Sequence, residues 1–242
     1  MCRHLAWLGA PQTVHDLVVA PPRSLYTQSW APQQQVHGTV NVDGFGAGWY
    51  VGSRPEPVRY RRAQPIWTDP SFASLAPTVS SSCVLAAVRS ATPGTSADES
   101  ASAPFTHDRW LFSHNGRLHD WAAARRGLLL DAADVPDARV PVDSALLFGL
   151  AVAAWTAGDG LAEGLVSAAT AAVRFGGGRI TLLAADGERV AGVVAAGEPL
   201  HLAERDDGVL LASEPHDDGV WRPLADGTVL EAGPDGVSET HL

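Results

Sequence analysis

The chemistry with the most reach stands at the start of the chain, in Met1-Cys2-Arg3-His4. Removal of an initiator methionine is favoured by a small second residue, and cysteine is small enough. Cys2 would then carry two useful groups, a thiol nucleophile and an α-amine. An unperturbed α-amine titrates at about 7.7–8.0, so a useful fraction is free base near neutral pH. It can take the thiol proton, directly or through one water, and later give it to a leaving nitrogen. With Met1 retained, that amine is blocked. A cysteine at position 2 can also be a chance residue. Cys83 opens the apolar run Cys83-Val84-Leu85-Ala86-Ala87-Val88 and reads as a buried strand residue.

Three further groups have a chemical reading beside a structural one. Arg89 closes that apolar run; it is a solvated strand end or a bidentate clamp for a carboxylate. Asn115-Gly116 follows Trp110-Leu111-Phe112 and reads as a hairpin turn. Its chemical reading is an oxyanion hole, built from the asparagine amide and the glycine N–H. Asp143 precedes an apolar helix, where an N-cap is the simplest role. Its other reading is a counter-charge for a substrate ammonium.

The elements that must position these residues follow from periodicity. Residues 5–9 predict a buried strand behind Cys2, and His15 to Val19 a short helix ended by Pro21-Pro22. Ser29 to His37 is a glutamine-rich polar loop. Gly44, Gly46 and Gly48 alternate with larger residues, which predicts a strand whose glycine face meets another backbone or a ligand. No helix pattern follows, so a dinucleotide fingerprint is rejected. Arg54 to Arg62 reads as a charged hairpin-like excursion, Ser71 to Val79 as a helix and Cys83 to Val88 as a strand. Thr92 to Asp108 is a long polar loop of the kind that forms lids. Asp120 to Gly127, Asp143 to about Ala157 and Leu161 to Arg174 predict helices. Strands follow at 179–184, 189–195, 199–203 and 209–213, joined by Asp-Gly or Gly-Glu turns, with more turns in 221–237. Helices flanked by strands on both sides predict an α+β fold with two sheets and helical layers outside.

Composition narrows the function. Seventeen basic and 27 acidic side chains give a net charge of −10, and no basic run exists, so nucleic acid is a poor partner. Hydrophobic residues make up 45% of the chain, enough for a full core. The longest apolar stretch, Ala145 to Ala157, is too short to span a bilayer. No signal-peptide pattern is seen, and two cysteines suit a reducing cytoplasm. His114 and His119 are the closest histidine pair. Their spacing with Asn115-Gly116 between them suits a metal site badly, so no metal or cofactor is expected.

Taken together and in order, Cys2, Arg89-Ser90-Ala91-Thr92, His114-Asn115-Gly116 and Asp143-Ser144 resemble the class-II glutamine amidotransferases. These are N-terminal-nucleophile hydrolases, and the resemblance implies a four-layer αββα sandwich formed by residues 1–242 as one domain. It runs from residue 2 to about 155, while the strands of 179–237 would complete the sheets. Residues 1–9, Gln35-Val36-His37-Gly38 and 41–49 look like the γ-glutamyl amidohydrolases of ergothioneine biosynthesis. By resemblance, Cys2 is nucleophile and base, Arg89 and Asp143 bind the α-carboxylate and α-ammonium of a γ-glutamyl group, and Asn115 and Gly116 hold the oxyanion. Thr92, His114 and Ser144 would line the substrate site.

Two positions depart from the family pattern. Ala145 stands where a glutamate is frequent, and Pro93 where a histidine is. With no room for an attached synthase in 242 residues, the expectation is a stand-alone amidohydrolase. The alternatives are a glutaminase subunit serving a separate synthase, or a non-catalytic domain of the same fold. The expected substrate is the γ-glutamyl conjugate of hercynylcysteine sulfoxide, its trimethylammonium group set against an aromatic face. Trp30 and Trp49 are the tryptophans nearest the site in sequence. Oligomeric state is not legible.

Overall fold

A computed structural model describes residues 2–35, 38, 40–52, 54–92 and 95–242. Met1, Val36-His37 of the glutamine-rich motif, and Pro93-Gly94 lie outside the described residues.

In chain order the strands are β1 (Arg3–Thr13), β2 (Gly44–Trp49), β3 (Val58–Arg62), β4 (Ser80–Arg89), β5 (Phe105–His107), β6 (Trp110–Leu118), β7 (Gly178–Ala185), β8 (Val190–Ala195), β9 (His201–Arg205), β10 (Gly208–Ala212), β11 (Arg222–Pro223), β12 (Thr228–Gly233) and β13 (Gly236–His241). The helices are α1 (Val14–Val18), α2 (Leu25–Gln28), α3 (Pro70–Leu75), α4 (Trp121–Leu128), α5 (Asp143–Ala157) and α6 (Leu161–Arg174). Two antiparallel sheets result, ordered β11-β9-β10-β1-β4-β2-β3 and β13-β12-β8-β7-β6-β5.

Three apolar cores separate four layers. Successive residues of a strand point to opposite faces, and the sequence is apolar on both. In β4, Val84, Ala86 and Val88 pack towards α1–α3, while Cys83 and Leu85 point between the sheets. Leu111, Leu183, Leu202 and Leu211 meet them in that middle core. The outer face of the second sheet, with Phe112, Leu182 and Val193, packs under α4–α6. The order helix, sheet, sheet, helix is the predicted αββα sandwich.

Helix α5 is apolar all round, as a helix with neighbours on every side must be. It stops at Gly158, whose left-handed φ of 107° suits a glycine. Phe148 anchors it, with ring centroids 5.9 Å from Phe105 and 5.6 Å from Phe112. Helix α6 buries Leu161, Leu165, Ala168 and Ala172, one stripe at helical spacing.

Several expectations are corrected. Asn115-Gly116 is not a hairpin turn: β6 runs unbroken through both, pairing Asn115 with Thr181 and Gly116 with Ile180. The long partner strand β7 keeps the ladder going where the dipeptide alone favours a turn. The Ser71 to Val79 helix breaks at Ala76, ahead of Pro77, and continues as a short 3-10 turn. The 92–108 loop contains a 3-10 turn at Glu99–Ala101 and strand β5. The glycine face of β2 does meet another backbone, since a Cβ at Gly46 would sit 2.4 Å from the Ala103 carbonyl oxygen.

Candidate active site

Strand pairing carries the termini of three strands to one end of the sandwich. Arg3 of β1 lies opposite Val88 of β4, and Arg89 lies opposite Gly44 of β2. Cys2 therefore sits beside Arg89 on the neighbouring strand. Cys83 lies further along β4, opposite Leu8, and both cysteines are free thiols. Cys2 is half-buried, and Cys83 is buried, which pushes its thiol up to about 12.

One cleft at this end is lined by Cys2, Arg89, Thr92, His114, Gly116, Asp143 and Ser144. Of the catalytic and γ-glutamyl-binding residues expected from the sequence, Asn115 is the one that does not line it. It is fully buried and its Nδ2 donates to Ser213 Oγ at 3.4 Å. Its Oδ1 has no hydrogen-bond partner among the described residues.

Arg89 is buried, with one terminal nitrogen donating to the Ser96 carbonyl at 2.7 Å and to Thr95 Oγ1 at 3.2 Å. Thr95 also lines the cleft, and its backbone and hydroxyl both donate to the Thr92 carbonyl. Asp43 closes the neighbouring turn by accepting from the Ala91 amide at 2.7 Å. The guanidinium is thus held by the loop that follows β4, facing the cleft with donors in a fixed fork.

Asp143 is the first residue of α5, not its N-cap, which is Val142. Its two oxygens accept from its neighbour Ser144 N at 2.9 Å and from Leu118 N at 3.1 Å. The carboxylate therefore joins α5 to the end of β6, in the first helical turn where the helix dipole favours a negative charge.

His114 lies 3.3 Å through Nε2 from the Arg179 carbonyl and 3.1 Å through Nδ1 from Ser144 Oγ. A carbonyl only accepts, so Nε2 carries the proton and Nδ1 accepts from the serine hydroxyl. Burial holds its pKa below the usual range, with Asp143 and the Arg179 carbonyl opposing. The neutral ring thereby orients Ser144 at the cleft wall. Gly116 has φ 156°, and a Cβ there would stand 1.8 Å from the Arg179 carbonyl oxygen. Only glycine fits so close an approach of two strands.

Sequence reasoning missed Thr95, Ser113 and Ser213. His4 Nδ1 meets Ser113 Oγ at 3.1 Å, and Ser213 Oγ accepts from His4 N at 3.0 Å. Serines carry no signal of their own; only the pairing of distant segments, unknown before folding, brings them to His4 and Asn115. Of the two tryptophans, Trp49 is buried in the core under α1–α3, because its strand position faces that layer. Trp30 is 42% exposed, edge-on to Tyr26 at 4.8 Å and Trp67 at 5.4 Å. No group of three or more His, Cys, Asp and Glu side chains among the described residues is arranged to hold a metal ion. No helix among them is long and apolar enough to cross a membrane.

Residues 22–136 match the model of class-II glutamine amidotransferases, a span that holds Arg89, Thr92, His114, Asn115 and Gly116. The relatives extend the match over the whole length of the chain. The chain is 44% identical to the γ-glutamyl-hercynylcysteine sulfoxide hydrolase of Mycolicibacterium smegmatis, covering 100% of this chain and 98% of that one. It is 41% identical to the Mycobacterium tuberculosis hydrolase of the same name, with 100% and 97% covered. Among solved structures, a glutamine aminotransferase class-II domain protein from Silicibacter pomeroyi superposes with TM-score 0.73 at 25% identity, covering 100% and 99%. The glutamine phosphoribosylpyrophosphate amidotransferase of Bacillus subtilis shares the fold at TM-score 0.70 and 14% identity, with this chain spanning 49% of it. The matched motif region, the full-length relatives and the shared architecture place the chain in the class-II glutamine amidotransferase family.

Proposed function

We propose that this chain hydrolyses the γ-glutamyl amide bond of γ-glutamyl-hercynylcysteine sulfoxide, releasing glutamate and the free hercynylcysteine sulfoxide. The single observation that carries this reading is the end-to-end identity of 41–44% with hydrolases of that name. The cleft supplies parts suited to it. With Met1 removed, the α-amine of Cys2 takes the thiol proton as sulfur attacks the γ-carbonyl carbon. The carbonyl oxygen becomes an oxyanion, for which the Asn115 amide and the Gly116 N–H are the donors. Collapse expels the amine, which leaves with the proton held on the Cys2 ammonium. Water, deprotonated by the Cys2 α-amine, then hydrolyses the γ-glutamyl thioester, and the ammonium returns that proton to the departing thiolate.

Arg89 pairs with the α-carboxylate of the substrate and Asp143 with its α-ammonium, while Thr92 and Ser144 supply polar wall. His114 acts through Ser144, since both of its nitrogens are engaged within the protein.

The test is glutamate release from a panel of γ-glutamyl amides that includes glutamine and the sulfoxide conjugate. The conjugate is expected to be turned over with the highest kcat/KM, and protein retaining Met1 to be inert. Preference for glutamine would assign the chain to ammonia supply for a separate synthase.

A further inference from the structure

Beside the nucleophile lies a run of charges that the proposed chemistry does not use. Arg3 is wholly buried. Its guanidinium stands 3.5 Å from the Glu214 carboxylate and 3.7 Å from that of Glu198, both 3% exposed. Arg179 approaches the far oxygen of Glu198 at 3.7 Å. The order Glu214, Arg3, Glu198, Arg179 alternates in sign and balances in charge. Buried ion pairs stabilise a fold less than apolar packing of equal volume. Stability is therefore a poor reason for placing three linked ion pairs here.

What the ladder joins is more informative. Arg3 follows Cys2 on the first sheet. Arg179 belongs to β7 on the second sheet, where its own carbonyl accepts from His114 and lies against Gly116. Glu198 bridges the two, in the segment between β8 and β9, with its carbonyl fixed by Thr181 Oγ1 at 2.7 Å. At the other end, Glu214 accepts from Gln33 N at 2.7 Å, and Gln35 Oε1 accepts from both Arg3 Nε and Asn41 Nδ2 at 3.1 Å. The loop before β2 is thereby drawn onto the same arginine.

We infer that Arg3 and Glu198 are positioning residues that hold the Cys2 strand against the strand bearing the oxyanion donors, across the gap between the two sheets. The inference rests on the thiol chemistry proposed above, though not on which amine leaves. Misplacement of a reacting group by about 1 Å costs about 10²-fold in rate. Loss of the ladder should appear in the chemical step and leave substrate capture alone, because Arg89 and Asp143 lie outside it.

The experiment uses Glu198→Gln, Arg3→Lys and Arg179→Gln, the last at the half-exposed end where folding is least at risk. Each folded variant is assayed for glutamate release and for alkylation of Cys2 by two reagents. One is a diazo-ketone analogue of glutamine, which needs the oxyanion donors; the other is iodoacetamide, which does not. We expect Glu198→Gln to lose about 10–100-fold in kcat, with KM within about twofold. Diazo-ketone labelling should slow in parallel while iodoacetamide labelling holds. Arg3→Lys, which keeps the charge but reaches one carboxylate, should fall between wild type and Glu198→Gln. Unchanged kcat and diazo-ketone labelling in folded Glu198→Gln and Arg179→Gln would overturn the inference. So would an equal loss with both reagents, which marks general disruption. Failure of the wild-type protein to react with the diazo-ketone would instead overturn the thiol chemistry itself.

Discussion

Asn115, the proposed oxyanion donor, sits in a resting fold that leaves its amide poorly bonded. Its amide is fully buried, its Nδ2 is held only by a long 3.4 Å contact to Ser213, and its Oδ1 has no partner among the described residues. A buried amide left partly unmade costs about 1–3 kcal/mol. A developing oxyanion would give Nδ2 a charged acceptor, a stronger bond than the serine offers. Asn115→Ala is therefore expected to lower kcat by about 10²–10³-fold with KM little changed. It should leave thermal stability nearly intact, because so little of the native hydrogen bonding is removed. A KM rise matching the kcat loss, measured on the same γ-glutamyl amide, would show that Asn115 holds the ground state instead.

At the scale of elements, helix α5 sets the second half of the site. Its rigid packing on Phe105 and Phe112 fixes Asp143 and Ser144 at its first turn. Asp143→Asn keeps the shape and one oxygen for the Leu118 or Ser144 amide, but removes the charge. A hydrogen bond to a charged group is worth about 1.5–3 kcal/mol, so KM for a γ-glutamyl amide should rise about 10–100-fold. Acyl transfer from a substrate lacking the α-amine should be spared; equal losses on both would reduce Asp143 to a joint between α5 and β6. Helix α5 and helix α6 were legible in the sequence because long apolar periodicity with a glycine stop has few other outcomes. The buried strands around Cys83 and Arg179 were legible for the same reason. Asn115-Gly116 was not legible as strand, since the local preference for a turn is overridden only by β7, more than sixty residues away. Arg3, Glu198 and Glu214 escaped notice because charged residues ordinarily mark the surface, and only the closing of two sheets buries them.

At the scale of the whole molecule, the fold buries His4 on β1 and His216 in the segment after β10. His4 is fully buried; burial first, then the nearby His114 and Arg3, hold its pKa down at about 3. Burial, with Arg205 and Arg23 adding to it against Asp217, brings His216 to about 4. Both stay neutral in the folded protein at pH values where the unfolded chain, titrating at about 6.5, takes up a proton. The unfolded state then binds more protons, so stability is full above pH 6.5 and falls as the pH drops from there towards 4. Each such histidine contributes a slope of about 1.4 kcal/mol per pH unit, or about 2 kcal/mol lost by pH 5. Urea unfolding followed from pH 8 to pH 5 should therefore show a flat upper limb and a decline below 6.5 steeper than one proton. In His216→Gln the slope below pH 6.5 should ease by about one proton, whatever the substitution does to stability at pH 8. A slope that the substitution leaves unchanged would mean that His216 is already charged in the folded state, and that the ring packed against Trp221 is not sealed from solvent.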